Sequence, residues 1–213
     1  KEVLEQADVV LYDKLVGTGI LNMIPDSAQK INVGKCAGNH TMPQAEINLL
    51  LLSEAQKGNH VVRLKGGDPF LFGRGGEELE LLEKHHIPFE VVPGVTSAVS
   101  VPAYAGIPVT QRAMATSFAV VTGHEDPTKA VSGIHWEGLA TAVDTLCFVM
   151  GVGNLPVIAE KLMAHGRAAS TPVALVRWGT KTVQEVLVST LEHVVEDVAK
   201  AKLKAPAIIV VGD

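Results

Sequence analysis

Short runs of apolar residues alternate along the chain with segments that have a helical pattern. Runs rich in Val, Ile and Leu are typical of strands buried on both faces, and amphipathic segments of the helices that cover them. The runs predict strands at residues 9–12, 30–33, 60–64, 89–92, 118–122, 145–150, 171–177 and 207–211, with a further strand near 185–189. The intervening patterns predict helices at residues 43–57, 75–86, 97–105, 154–165 and 191–201.

This alternation predicts an α/β fold with largely parallel sheets. The segment 105–114 contains Gly106 and Pro108 and is the best candidate for a link between two halves. We therefore expect one α/β domain over residues 1–112 and a second over residues 113–213.

Composition narrows the classes of partner. Hydrophobic residues make up 47% of the chain, but no apolar run is long enough to span a membrane. The net charge of −5 argues against a broad surface that binds nucleic acid. Two cysteines far apart, Cys36 and Cys147, are typical of a reduced cytoplasmic protein and not of a disulfide framework. We expect a cytoplasmic protein that contacts neither a membrane nor nucleic acid.

Five predicted strands are followed by turns that contain glycine. In open α/β sheets, ligands bind outside the carboxyl ends of the strands, where backbone N–H groups converge. Any one of these turns is explained by tight-turn geometry alone, but five together indicate a binding site. The turns are LKGGD, VPGVTS, VTGH, VMGVGN and VRWGT.

The most informative turn is Gly66-Gly67-Asp68-Pro69-Phe70. Paired glycines bring backbone N–H groups close to a ligand, and Asp68 adds an acceptor suited to an amine or a hydroxyl. A plain turn is the alternative, since Gly, Asp and Pro all form turns. The second glycine cluster, GRGG at residues 73–76, favours a binding loop. It has neither the spacing nor the Lys-Ser/Thr pair of a phosphate-binding P-loop.

Two charged residues at predicted strand ends are candidates for proton transfer. Asp13 follows the first strand and is suited to accept a proton, although capping a turn or pairing with Lys14 explains it equally well. Lys35 is suited to donate a proton or bind a carboxylate, with an ordinary surface lysine as the alternative. Cys36 and His40 lack a second ligand pair, so no metal site is expected.

The motif RLKGGDPFLFGRGGEE at residues 63–78, together with VLYDKLV, VGKCAGNH, VPGVTSAVSVPAYAGIPVT and VTGH, resembles the tetrapyrrole methylase family. Within it, the combination is most similar to the members that methylate uroporphyrinogen III. The resemblance runs from about residue 8 to 212. It implies two α/β domains with S-adenosylmethionine in the cleft between them, a homodimer, and two methylations that yield precorrin-2 for sirohaem and cobalamin synthesis.

The resemblance also implies a role for individual residues. Asp13 corresponds to the proposed proton acceptor and Lys35 to the proposed proton donor, while Lys14 and Arg112 are candidate anchors for the substrate carboxylates. No metal is implied. The residues expected to bind the cofactor are Gly66, Gly67, Asp68, Leu71, Thr96, Ser97, Met150 and Gly179.

Some features depart from the family pattern or leave other functions open. The family opens with a glycine- and proline-rich cofactor loop, which would precede Lys1, and without it we expect methyl transfer to be lost. Cys36 stands where relatives often have arginine, and Ser97 where alanine is common. A later corrin-ring methylase, a diphthine synthase, a ribosomal-RNA methylase or an inactive binding module are the alternatives, and GVG at residues 151–153 weakly suggests a nucleotide-dependent oxidoreductase.

Overall fold

The structure is a computed structural model that describes residues 1–34, 42–124 and 132–213. The chain divides into two compact units, Lys1–Val95 and Thr96–Asp213. The division at residues 112 and 113 stays a prediction about domains. In the described residues, no helix is long and apolar enough to cross a membrane.

The first unit is built on a three-stranded parallel sheet in the order β2-β1-β3. Its central strand is almost fully buried, because Val9, Val10 and Leu11 pack against apolar clusters on both faces. The elements in chain order are α1 (Glu2–Glu5), β1 (Val9–Tyr12), α2 (Thr18–Leu21), β2 (Gln29–Asn32), α3 (Gln44–Gln56), β3 (Val61–Leu64) and α4 (Gly75–Lys84).

The second unit is built on a five-stranded mixed sheet in the order β4-β5-β8-β6-β7. Strand β5 is buried along its whole length, and its Phe148 and Leu146 side chains are fully buried in the larger core cluster. The elements are α5 (Ser97–Tyr104), β4 (Phe118–Thr122), α6 (Trp136–Ala142), β5 (Thr145–Val149), a 3₁₀ turn (Val152–Asn154), α7 (Leu155–Ala164), β6 (Pro172–Arg177), β7 (Glu185–Thr190), α8 (Val194–Ala201) and β8 (Ala207–Val211).

The α/β class is confirmed, and eight of the predicted strands, including the one near 185–189, are present with shifts of a residue or so at their ends. The strand predicted at residues 89–92 is wrong. Phe89 and Val92 lie in irregular chain and are 44% and 61% exposed, so this apolar run has no partner strand to pack against. The short helices α1, α2 and α6 were not predicted, because a four- to seven-residue helix carries little periodicity.

The expectation of largely parallel sheets holds for the first unit only. In the second sheet, β4 and β5 are parallel, while β8 pairs antiparallel with both β5 and β6, and β7 pairs antiparallel with β6. An apolar strand reads the same in either direction, so the runs in the sequence could not distinguish the two pairings.

Candidate active site

The carboxyl ends of the three parallel strands of the first unit lie at one edge of the sheet. Tyr12 pairs with Asn32 on one side and Leu64 on the other, so Asp13 lies beside the ends of both neighbouring strands. The Oδ2 atom of the half-buried Asp13 accepts a hydrogen bond from the Gly66 N–H at 3.3 Å. The sheet therefore brings the predicted proton acceptor and the predicted cofactor loop together.

Asp13 also stabilises the turn that follows it. Its Oδ1 atom accepts a hydrogen bond from the Leu15 N–H at 2.8 Å, as a capping carboxylate does. Among the described residues no ion pair joins it to Lys14, whose side chain is exposed. Asp13 therefore does cap the turn, as the alternative predicts. Its other carboxylate oxygen still contacts the exposed Gly66 backbone.

The carboxylate of Asp68 organises the glycine-rich loop from within. Its Oδ1 atom accepts hydrogen bonds from the N–H groups of Phe70 at 2.9 Å and Leu71 at 3.1 Å, and its Oδ2 atom accepts one from Gly94 at 3.1 Å. These backbone donors, Gly94 first, lower the pKa of the Asp68 carboxyl below its usual value. Asp68 is therefore ionised at neutral pH and ties the loop to the chain before the second unit.

Glycine is required where this loop meets that chain. Gly67 has a φ of +80°, a conformation that favours glycine, and a Cβ on Gly94 would overlap the Gly67 carbonyl oxygen. Next to these bare backbone atoms, the side chains of Phe70, Leu71 and Phe72 are exposed to 54%, 37% and 43%. The loop thus presents exposed backbone at Gly66 and Gly67 beside an apolar surface, a combination that suits a nucleoside.

In the second unit, strands β4, β5 and β6 run in the same direction, so their carboxyl ends also lie at one edge. Met150 follows β5 with a φ of +57° and is 56% exposed. The residue that follows it is tightly packed, because a Cβ on Gly123 would overlap the Cα of Gly151. Strained backbone of this kind concentrates at functional sites, and here it turns the methionine side chain out of the core.

Gly179, Thr96 and Ser97 lie in the same unit. Gly179 follows β6, and a Cβ there would overlap the side chain of Val101 in α5. Thr96 caps α5, since its Oγ1 atom accepts a hydrogen bond from the Ala98 N–H at 3.3 Å. The predicted cofactor residues Gly179 and Thr96 therefore have evident local roles, as do Asp68 and Gly67 in the first unit.

Comparisons with known proteins identify the family. The profile of the tetrapyrrole (corrin/porphyrin) methylases matches residues 1–195. The chain belongs to the tetrapyrrole methylase family. It is 54% identical over all 213 residues to an S-adenosyl-L-methionine-dependent uroporphyrinogen III methyltransferase of Methanosarcina barkeri, of which it covers 84%.

Two further relatives of this tetrapyrrole methylase are a longer protein and a protein of known structure. A sirohaem synthase of Pseudomonas aeruginosa is 49% identical over 212 residues, and the chain spans only 45% of that protein. A uroporphyrin-III C-methyltransferase of Thermus thermophilus, solved in complex with S-adenosylhomocysteine, is 38% identical, with a TM-score of 0.82 over the whole chain and 88% of that structure. The resemblance found in the sequence is confirmed.

The remaining predicted residues of this methylase are distributed as follows. Lys35 lies outside the described residues, as do Cys36 and His40. Lys14 and Arg112 are both exposed, Lys14 in the first unit and Arg112 in the second. No group of three or more His, Cys, Asp or Glu side chains that would suit a metal ion occurs in the part of the chain that the structure describes.

A buried ionic cluster at the base of the glycine-rich loop was not predicted from the sequence. Glu78 of α4 contacts Arg63 and Lys65 at the end of β3, and the three side chains are exposed to only 5%, 14% and 10%. The signal that was available is the pair of cations in VVRLK, an otherwise apolar strand. Cations at such positions need a buried anion, and the acidic start of α4 supplies it.

Proposed function

We propose that the chain transfers methyl groups from S-adenosylmethionine to two ring carbons of uroporphyrinogen III and so forms precorrin-2. One observation carries this proposal: the Asp13 carboxylate lies against the Gly66 backbone at the edge of the first sheet, at the start of the family's GGDPF loop. The 54% identity to a uroporphyrinogen III methyltransferase over the full chain supports the choice of substrate.

The residues present suit the cofactor. In the first unit, the exposed backbone of Gly66 and Gly67 suits the polar groups of the amino acid and ribose, and the exposed side chain of Leu71 suits the adenine. Asp68 shapes this surface, since its carboxylate accepts three backbone hydrogen bonds. In the second unit we assign cofactor contacts to Thr96, Ser97, Met150 and Gly179.

The sulfonium of S-adenosylmethionine supplies an electrophilic methyl group, which a nucleophilic carbon takes as the sulfur–methyl bond breaks. The chain has to orient the reactants and exclude water. Asp13 accepts the proton that the methylated ring carbon or its conjugated macrocycle gives up, and its Oδ2 atom lies at the loop that would hold the cofactor. We assign to Lys35 the role of proton donor. Lys14 and Arg112 would pair with the carboxylates of the substrate.

We further propose that the methylase is a cytoplasmic homodimer. Strand β7 is at the edge of the second sheet, and its Val186 and Val188 side chains are 46% and 72% exposed. A second copy of the chain would cover these apolar side chains. Cys147 is a free thiol inside strand β5, where burial raises its pKa to about 12, in keeping with a reducing compartment.

The variant Asp13→Asn tests the proposed function. The amide keeps the size of the side chain but cannot accept the proton, so we expect kcat for uroporphyrinogen III methylation to fall roughly 10²–10³-fold. S-adenosylhomocysteine affinity, measured by calorimetry, is expected to stay within about twofold. Asp26→Asn, which changes a fully exposed carboxylate of the same unit, serves as the matched control.

Mass analysis of the product distinguishes the substrates. Addition of two methyl groups to uroporphyrinogen III supports the proposal, whereas methylation of a later precorrin alone would assign the chain to a later step of corrin synthesis. Full turnover by the Asp13→Asn variant would contradict the role of Asp13, whichever tetrapyrrole is methylated.

A further inference from the structure

Glu78 is the anion of a buried cluster that connects three elements of the first unit. Its Oε1 atom accepts hydrogen bonds from Arg63 Nε at 3.0 Å and Gln44 Nε2 at 3.0 Å, and Lys65 Nζ lies 3.2 Å from both of its oxygens. Arg63 also donates to the carbonyl oxygens of Leu11 and Leu64. Helix α3, strand β3 and helix α4 are thus joined through one carboxylate.

The cluster lies at the base of the glycine-rich loop. Lys65 is the residue immediately before Gly66, and Glu78 is in the first turn of α4, the helix that begins where the loop ends. Their ion pair therefore holds the two ends of the loop together. A second closure is made by the backbone, where the Gly75 N–H donates to the Pro69 carbonyl at 3.1 Å.

Net stability does not explain a cluster of this kind. Burying two cations and an anion costs desolvation energy that their attraction roughly offsets, so an apolar replacement would hold the elements together as well. What charged partners add is direction, because three donors converge on one carboxylate and fix where strand β3 ends relative to helix α4. Gly66 and Gly67 come shortly after this strand end in the chain, so the position of the strand end determines where their backbone N–H groups lie.

We propose that Glu78 is a positioning residue for cofactor binding, which closes the base of the loop through Lys65 and Arg63 and so fixes the Gly66–Gly67 backbone. This rests on the proposed function, in which that backbone binds S-adenosylmethionine. Glu78 is buried and is not expected to touch the cofactor itself.

The neighbouring Glu77 provides a matched control within the same helical turn. It pairs with Arg74 at 2.6 Å, but both side chains are about half exposed, at 49% and 55%. Exposed pairs of this kind contribute little to stability, and this one does not join the two ends of the loop. Glu77→Gln thus removes an equal charge from the same turn without opening the base.

The experiment compares Glu78→Gln, Glu77→Gln and the double variant Lys65→Met with Glu78→Gln, each in the full chain. The double variant removes one positive and one negative charge, so it relieves one of the two unpaired buried cations that the single variant leaves, with Arg63 remaining, and is expected to regain part of the melting temperature. The affinity for S-adenosylhomocysteine is measured by calorimetry. KM for S-adenosylmethionine and kcat are measured in a methylation assay with uroporphyrinogen III.

We expect Glu78→Gln and the double variant to weaken S-adenosylhomocysteine about tenfold or more, as small displacements at a binding site do, and Glu77→Gln to change it by less than about twofold. KM for S-adenosylmethionine is expected to rise more than kcat falls. If Glu78→Gln does not fold, the double variant decides the question by itself.

Recovery of both melting temperature and affinity in the double variant would overturn the proposal, because it would show that only an unpaired charge had been harmful. Wild-type affinity in Glu78→Gln, or an equal loss in Glu77→Gln, would overturn it as well. Failure of the wild-type chain to bind S-adenosylhomocysteine would instead contradict the proposed function.

Discussion

The loops at the carboxyl ends of the strands are held by side-chain carboxylates in the first unit and by close backbone packing in the second. Asp13 and Asp68 together accept five backbone hydrogen bonds around the glycine-rich loop. In the second unit, Gly123 lies against Gly151, and the single amide of Asn154 donates to the Gly123 carbonyl at 2.7 Å. The first edge therefore combines charge with a close glycine contact, Gly94 against Gly67, whereas the second depends on close packing.

The two units thus orient functional groups in two different ways. A carboxylate that accepts hydrogen bonds from several backbone N–H groups orders a long loop of varied sequence, because each hydrogen bond fixes one residue of the loop independently. Bare glycines permit a close approach of two short turns and turn the intervening Met150 outward. We expect the loss of a carboxylate to disturb the first edge and added volume at Gly123 to disturb the second.

The largest effect is expected from Gly123→Ala. The added methyl group would overlap the Gly151 backbone, which cannot move as a side chain can, so we expect a loss of about 2–3 kcal/mol in the free energy of unfolding. Urea denaturation measures it. Gly153→Ala, in the turn after β5 and with no atom within 4 Å of the added Cβ, is the control and is expected to be close to neutral. Equal losses in both variants would show that packing at Gly123 is not the cause.

The second prediction concerns the charged edge. Asp68→Asn keeps the volume but replaces one acceptor oxygen by a donor, which then faces the Gly94 N–H or forces the amide to turn away from Phe70 and Leu71. We expect the affinity for S-adenosylhomocysteine to fall roughly tenfold, because the loop loses its internal connection. Calorimetry checks this. Unchanged affinity would mean that glycine packing alone holds the first edge too.

The smallest effect concerns a carboxylate at the opposite edge of the second sheet. Asp144 precedes β5 and accepts hydrogen bonds from the backbone and hydroxyl groups of Thr116 and Ser117. These bonds, the Ser117 hydroxyl first, lower the Asp144 pKa from 3.8 to about 2. Because the folded pKa lies below the unfolded one, the stabilisation is complete above about pH 4 and is lost as the pH falls towards 2.

The comparison of Asp144→Asn with the unaltered chain tests this. We expect their urea midpoints to differ at neutral pH and to converge as the pH falls from about 4 to about 2. A difference that persists unchanged at the lowest pH would show that the size or the dipole of the side chain, and not its charge, joins the two strand starts.

Most of the elements and the family motif could be predicted from the sequence because both are local. The run Val9–Tyr12 is a strand as its apolar residues indicate, and Asp13 and Gly66 both follow strands. Phe89 and Val92 misled the same reasoning, since an apolar run becomes a strand only where another strand is free to pair with it. The candidate site residues come from the motif, but a motif does not show which of their atoms already accept hydrogen bonds within the chain.

The sequence by itself determined the α/β class, the family and the place of the candidate site residues after strand ends, because alternating apolar segments and glycine-rich turns are properties of neighbouring residues. Only the tertiary structure decided that β8 pairs antiparallel with β5 and β6, that Asp68 accepts a hydrogen bond from the Gly94 N–H, and that Glu78 contacts both Arg63 and Lys65. These are contacts between residues distant in the chain. They depend on packing and on the burial of charge, which no local pattern records.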